Sequence, residues 1–389
     1  MNAQSPIRLF LACGEPSGDI LAAELVTALR ALTDRPIELM GVGGENLQGV
    51  GLTSLFPMQE LSVMGLAEVL PRIPNLLKRI NQTANAAIAA GPDMVLSVDS
   101  PDFAFRVQKR IARKAPELTR VHFVAPTVWA WRQGRARAMA EFLDAVLTLL
   151  PFEPAFFEGV GLPAIHVGHP VIDRGQAYAG DAPRFRAERG IADDAPVLIV
   201  LPGSRSGEIK RLLPVFGETV ARLAADHPGL EVVVPTLSHH RDTIEAAVAE
   251  WPVRTHVTVG EADKWAAFHT GTAALAASGT VSLELTVARC PAVIAYKVNP
   301  LTGFLLKRMV KVDYASITNL ILEEPVLPEL LQDQCTADKI TPAVHALLSD
   351  EGVRGRQLNR FDAALKRLGE GGPPPAARAA QAVLDLLPQ

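Results

Sequence analysis

Short, mostly apolar runs, each closed by a turn and followed by a helical pattern, recur along the 389 residues of this chain. Runs such as Met94–Val98 and Val197–Leu201 do not alternate polar with apolar residues, as a strand with one wet face would. They are strands buried on both faces, and such strands belong to parallel sheets covered by helices on either side. The pattern places further strands at 8–13, 38–42, 120–124, 145–149, 231–235, 255–259, Ala273–Ala276 and Ala292–Tyr296. It places helices at 19–32, 75–90, 103–114, 134–142, Ser206–Asp226, 241–249, 281–288 and 336–348.

Two of these strand–turn–helix units look like one device used twice. Leu9 to Cys13 runs into Gly14-Glu15-Pro16-Ser17-Gly18-Asp19, and Leu198 to Leu201 runs into Pro202-Gly203-Ser204-Arg205. A strand feeding a glycine turn and a helix N-terminus presents backbone N–H groups to an anion. The pair points to an enzyme with two nucleotide-type domains acting on a phosphorylated substrate. The boundary falls in the polar stretch after Gly168-His169-Pro170, giving domains at 1–174 and 175–368. A Gly/Pro linker and final helix, 369–389, cross back onto the first.

Composition removes several classes. A net charge of −4 argues against a nucleic-acid binder. Three scattered cysteines with no CxxC make neither a disulfide framework nor a zinc site, and suit a reducing cytosol. The apolar run at 7–13 leads into the glycine motif and is not expected to be a cleaved signal; no run is long enough to span a membrane.

The chemistry-bearing residues cluster after strands. Gly14 and Gly18 permit tight turns, Ser17 offers a hydroxyl, and Asp19 can cap the following helix. A plain capped turn explains this segment as well. Asp99 ends a strand where open parallel sheets place ligands, and a carboxylate there can deprotonate an attacking hydroxyl. Asp102 fits better as the cap of the next helix. Trp129 and Trp131 either line an acceptor pocket or fill the core, and Arg132 can meet an anion or lie in solvent. Gly203, Ser204 and Arg205 join a turn, a helix start and a guanidinium, which suits a diphosphate. Ser278-Gly279-Thr280 is a third glycine turn, and Glu284 lies one helical turn on, placed either to bind a ribose diol or to meet the helix dipole. At 61–80 and 301–311 apolar residues stand beside basic ones, fitting either an anionic lipid surface or ordinary amphipathic helices.

Taken together these motifs resemble the lipid-A-disaccharide synthase family, inverting glycosyltransferases of bacteria with an outer membrane. The resemblance covers nearly the whole chain. Its most specific segments are Pro126-Thr127-Val128-Trp129-Ala130-Trp131-Arg132 and Leu201-Pro202-Gly203-Ser204-Arg205, with Asp99-Ser100-Pro101-Asp102-Phe103, Leu150-Pro151-Phe152-Glu153 and Lys311-Val312-Asp313-Tyr314 in support. It implies a GT-B fold, two Rossmann-like doubly wound α/β domains facing a central cleft. It also implies the reaction: 2,3-diacylglucosamine passes from its UDP donor to the 6-hydroxyl of 2,3-diacylglucosamine 1-phosphate, forming the β-1,6 disaccharide phosphate and UDP. On this resemblance Asp99 is the base and Arg205 stabilises the leaving UDP. Gly203, Ser204, Ser278, Gly279, Thr280, Glu284 and Asn319 hold the donor, and Glu15, Ser17, Gly18, Asp19, Trp129, Trp131 and Arg132 line the acceptor side. No metal or other cofactor is expected, since no D-x-D signature is present. The implied partners are the two lipid substrates and the cytoplasmic face of the inner membrane, with a homodimer left open and no nucleic acid. Another GT-B enzyme on a UDP-sugar, and a non-catalytic protein of the same fold, are the competing readings.

Overall fold

The computed structural model describes residues 5–61, 66–131, 134–299 and 312–388, of which 66–72, 130 and 131 are described by backbone alone. It divides into two compact units, Met1–Pro170 with Gly371–Gln389, and Val171–Glu370.

The first unit is built on a six-stranded sheet of β1 (Ile7–Cys13), β2 (Ile37–Val42), β3 (Met94–Val98), β4 (Thr119–Phe123), β5 (Ala145–Thr148) and β6 (Ala164–His166). All pairs are parallel and the spatial order is β2-β1-β3-β4-β5-β6. The side-chain period of two is visible in β1. Ile7, Leu9, Leu11 and Cys13 enter one core with Leu25, Val26 and Leu29 of the helix Pro16–Leu32. Phe10 and Ala12 enter another with Ile80, Ala84, Phe103, Val107 and Ile111. The helix Pro375–Leu386 belongs to this unit: its small residues Ala379, Ala380 and Ala382, with Val383, fill the first core.

The second unit repeats the architecture with β7 (Val197–Leu201), β8 (Glu231–Thr236), β9 (Arg254–Val259), β10 (Ala273–Ala276), β11 (Ala292–Tyr296) and β12 (Glu329–Leu331). The order is β12-β11-β10-β7-β8-β9, again all parallel. The helix Ser206–Asp226 buries Ile209, Leu212, Leu213, Phe216, Val220 and Leu223, spaced three and four apart, against Leu198 and Val200.

These orders locate the ligand edges. In each sheet the chain winds outward in opposite directions from a central pair, β1/β3 in one and β7/β10 in the other. A crevice opens beyond the carboxyl ends of such a pair. Cys13 is level with Val98, and Leu201 with Ala276, so the loops that follow them leave each crevice at the same height.

Among the described residues no helix is long and apolar enough to cross a membrane. The expected lipid-facing segment 301–311 lies outside the described residues, as does 62–65 of the other. Of the rest of that segment, Ile73 and Leu77 are exposed, while Arg79 is taken up by Glu60 at 2.7 Å.

Candidate functional site

At the β1/β3 switch point the structure brings Glu15, Ser17, Gly18 and Asp99 together. The Ser17 hydroxyl donates to Asp99 Oδ2 at 2.7 Å, and the Ser100 amide donates to Asp99 Oδ1 at 2.8 Å. The backbone here is strained: Asp99 and Ser100 have φ of 54° and 45°, and Val124, just past β4, has 75°. Left-handed conformations cost an L-residue about 1–2 kcal/mol each, and a β-branched valine is the worst suited. Two contacts maintain the strain at Asp99: its amide donates to Phe123 O at 3.0 Å, and Gly14 leaves room for Ser100. A Cβ on Gly14 would stand 2.5 Å from the Ser100 hydroxyl. Gly18 has the same purpose, since its Cβ would stand 2.7 Å from Val98 O. Neither glycine has a positive φ, so close approach, not the expected tight turn, requires them. Burial raises the Glu15 carboxyl above its ordinary value; the Asp99 charge and, less, Asp102 add to this, and the Ser100 hydroxyl opposes it.

Asp19 does not cap its own helix, which begins three residues earlier at Pro16. Its buried carboxylate instead accepts from the amides of Gly44, Asn46 and Leu47 and from Asn46 Nδ2, at 2.6, 2.9, 3.3 and 2.9 Å. It anchors the turn after β2 and has no side to spare for a ligand. Asp102 is likewise not the cap. The helix Pro101–Lys114 has Ser100 at its N-cap, and Asp102 is exposed in the first turn, 4.0 Å from Arg135.

Trp129 is 8% exposed and donates from Nε1 to Glu153 Oε1 at 3.2 Å, with its ring edge-on to Phe152. This favours the core alternative for Trp129. The Trp131 side chain and Arg132 lie outside the described residues. Glu153 also accepts from the Leu149 and Leu150 amides at 3.1 and 2.9 Å, and burial pushes its carboxyl up to about 7 against those three bonds. A group raised from 4.5 stabilises the fold fully below that pH and loses the contribution as pH rises through about 7. Thermal stability should therefore fall between pH 5 and 8, and Glu153→Gln should flatten that slope in a melting series. An unchanged slope would mean that Glu153 ionises normally.

At the β7/β10 switch point a cavity of about 700 Å³ is lined by Gly203, Ser204, Arg205, Ser278, Gly279, Thr280 and Glu284. That is the size of a pocket for a nucleotide-sized ligand. Gly203, at φ 106°, has no room for a Cβ, which would stand 2.6 Å from Glu208 Oε2. Glu208 was not foreseen, yet it organises the turn. Its carboxylate accepts from the Ser204 and Arg205 amides (3.2 and 3.3 Å), from Arg205 Nη1 (3.0 Å) and from the Tyr296 hydroxyl (2.9 Å). Those donors hold the Glu208 carboxyl below its ordinary value although burial works the other way. The turn after β7 is thus already filled by a carboxylate, and its offering to a ligand is the Arg205 guanidinium, 82% exposed. Across the pocket the amides of Gly279 and Thr280 donate to no described residue. Lys264, also unforeseen, ties its ammonium to Glu284 Oε1 at 2.9 Å and leaves Oε2 open.

Asn319 is absent from this lining. It is fully buried, with Oδ1 accepting from the Leu327 amide and Nδ2 donating to Leu327 O and Glu329 Oε1. Glu329 in turn accepts from the Ala315 and Ser316 amides, and Ala315 O receives the Ser278 hydroxyl. Asn319 therefore acts on the pocket only through the loop that seats Ser278.

Two Rossmann-like parallel sheets, each with its polar loops at its own switch point, define a GT-B protein. The fold is similar to UDP-GlcNAc 2-epimerase from Neisseria meningitidis, solved bound to UDP-GlcNAc, with a TM-score of 0.65 at 12% identity over 97% of this chain and 99% of that one. It is similar too to Acinetobacter baumannii MurG, with a TM-score of 0.58 at 14% identity over 98% and 99%. These likenesses carry the fold alone. The particular family comes from sequence: the Lipid-A-disaccharide synthetase model matches residues 9–372. The lipid-A-disaccharide synthase of Rhodospirillum centenum is 51% identical over 98% of this chain and 95% of its own, and that of Paramagnetospirillum magneticum 47% over 98% of each. The chain belongs to the lipid-A-disaccharide synthase family and is a glycosyltransferase.

Proposed function

We propose that this chain transfers 2,3-diacylglucosamine from its UDP donor to the 6-hydroxyl of 2,3-diacylglucosamine 1-phosphate, with inversion, releasing UDP. The observation that carries the reading is the 700 Å³ pocket, where a guanidinium, an ammonium and a half-open carboxylate converge at a switch point. Arg205 and Lys264 suit a diphosphate, the Gly279 and Thr280 amides its oxygens, and Glu284 Oε2 a ribose hydroxyl. In the catalytic complex the acceptor O6 attacks the anomeric carbon from the face opposite UDP. Asp99 takes the O6 proton, the C1–O bond to UDP breaks with its electron pair leaving on the diphosphate, and Arg205 meets that charge. Inversion follows from the single displacement. Ser17 orients the Asp99 carboxylate through its hydrogen bond, and Glu15 is the second carboxyl beside it.

Fixed cations take the place of a divalent ion in this scheme. Of 61–80 the exposed Ile73 and Leu77, rather than the buried Ile80 or the Glu60-bound Arg79, would meet the acyl chains at the cytoplasmic face of the inner membrane, with the apolar and basic residues of 301–311. The test is UDP release from the diacylated donor, with and without the acceptor phosphate, in excess EDTA. Acceptor-dependent release that persists in EDTA is expected. Equal turnover of plain UDP-N-acetylglucosamine would favour another UDP-sugar enzyme, and loss of activity in EDTA would overturn the metal-free scheme.

A further inference from the structure

A second cavity, of about 440 Å³, lies in the first unit along the helix Pro101–Lys114. Arg106, Lys109, Arg110, Arg113 and Arg135 line it, against the single carboxylate of Asp102. Four of those cations sit three or four residues apart on one helix, a spacing at which like charges destabilise the helix. The chain as a whole carries a net −4, so this crowding is local. Neutralisation within the protein is slight. Arg106 and Arg113 have no side-chain hydrogen bond or ion pair among the described residues, and Arg110 is held by Asn81 Oδ1 at 2.7 Å, a neutral partner. Aromatic rings pre-position two others: Arg135 lies 5.0 Å over Phe105, and Lys109 5.0 Å over Phe142.

Pro101 and Asp102, in the first turn of the helix that follows Asp99, line one end of the groove, its mouth. That end lies two and three residues along the chain from the proposed base. In the acceptor C5, which carries C6 and O6, and C1, which carries the phosphate, flank the same ring oxygen, so an acceptor whose O6 reaches Asp99 holds its phosphate within a sugar ring's breadth of that carboxylate. Arg135, 4.0 Å from Asp102, is the cation at that mouth. Resting on the function proposed above, we infer that the mouth of this groove, Arg135 with Arg106, binds the 1-phosphate monoester of the acceptor and makes the enzyme select a phosphorylated acceptor. A dianion between two guanidiniums forms charge-assisted bonds that a neutral 1-hydroxyl cannot.

The experiment measures kcat/KM in nonionic detergent for the acceptor lipid with and without its phosphate. Wild type, Arg106→Gln/Arg135→Gln and Arg135→Lys are compared. Wild type should prefer the phosphorylated acceptor. The double variant should lose roughly 10- to 100-fold on that acceptor, entirely in acceptor KM, with donor KM unchanged and the preference gone. Arg135→Lys, which keeps a cation there, should retain part of the preference that the double variant loses, which a merely misfolded variant would not. A retained preference, or an equal loss on both acceptors, overturns the inference while leaving the proposed function standing. No transfer by wild type overturns the function and the inference with it. A final arm measures binding to phosphatidylglycerol vesicles. Loss of vesicle binding with unchanged micellar kinetics would assign the groove to bilayer headgroups and overturn the acceptor assignment.

Discussion

Asp99→Asn should lower turnover by roughly 10²- to 10⁴-fold, the range a positioned general base contributes, while UDP binding and thermal stability stay near wild type. Asparagine is the sharper choice than alanine. It tolerates the left-handed φ of 54°, and its carbonyl can still accept from Ser17 or from the Ser100 amide. What it loses is basicity. Alanine would also remove turnover, but its strain at that φ would mix a backbone effect into the result. UDP binding should survive either change, because every group assigned to the nucleotide belongs to the second unit. Activity within a few-fold of wild type would sink the assignment and leave Glu15 as the base. The pH profile separates the two carboxyls. The Asp99 charge helps hold Glu15 above its ordinary value, so removing it must lower Glu15. A base at Glu15 would then carry residual activity to lower pH, and a base at Asp99 would show no such shift.

The sequence carried the sheets well and the polar architecture poorly. Met94–Val98, Val197–Leu201, Ala273–Ala276 and Ala292–Tyr296 are legible to the residue because central parallel strands are buried on both faces and so almost wholly apolar, with Ser97 the one small polar residue inside them. β6 and β12 escape because edge strands of three half-buried residues leave no apolar run. The helix Glu351–Leu368 was open to detection: Gln357, Phe361, Leu365 and Leu368 repeat at helical spacing amid its charges. Glu208 left a signal too, since it stands three residues after the helix cap, the spacing at which a carboxylate returns to bond the cap's backbone. Lys264 left none, its partner Glu284 lying on another helix. Asn319 and Asp19 misled for one reason. A polar residue in a motif is equally suited to a ligand or to backbone amides, and only tertiary structure shows which amides come near.

Asp19→Ala should therefore be among the most destabilising single changes in the first unit, at about 3–5 kcal/mol. Its carboxylate is 1% exposed and satisfies four donors from a turn more than twenty residues away. Deleting it strands three backbone amides in a buried site, and the turn is packed closely on the carboxylate, since a Cβ on Gly44 would stand 2.8 Å from Asp19 Oδ2. Asp19→Asn should cost nearly as much, because its NH₂ would face N–H donors and repel them. Urea unfolding of the first unit's transition is the measurement, and a loss below about 1 kcal/mol would mean that the turn finds other acceptors. Activity gives the contrast with Asp99. Ser17 and Asp19 share the first turns of one helix, so loosening that helix should weaken the Ser17–Asp99 contact and lower turnover secondarily. Under conditions where the variant is folded, that loss should stay small beside the loss in Asp99→Asn. A full loss of turnover in folded Asp19→Asn would instead place Asp19 among the groups that meet the acceptor, against its saturated hydrogen bonding.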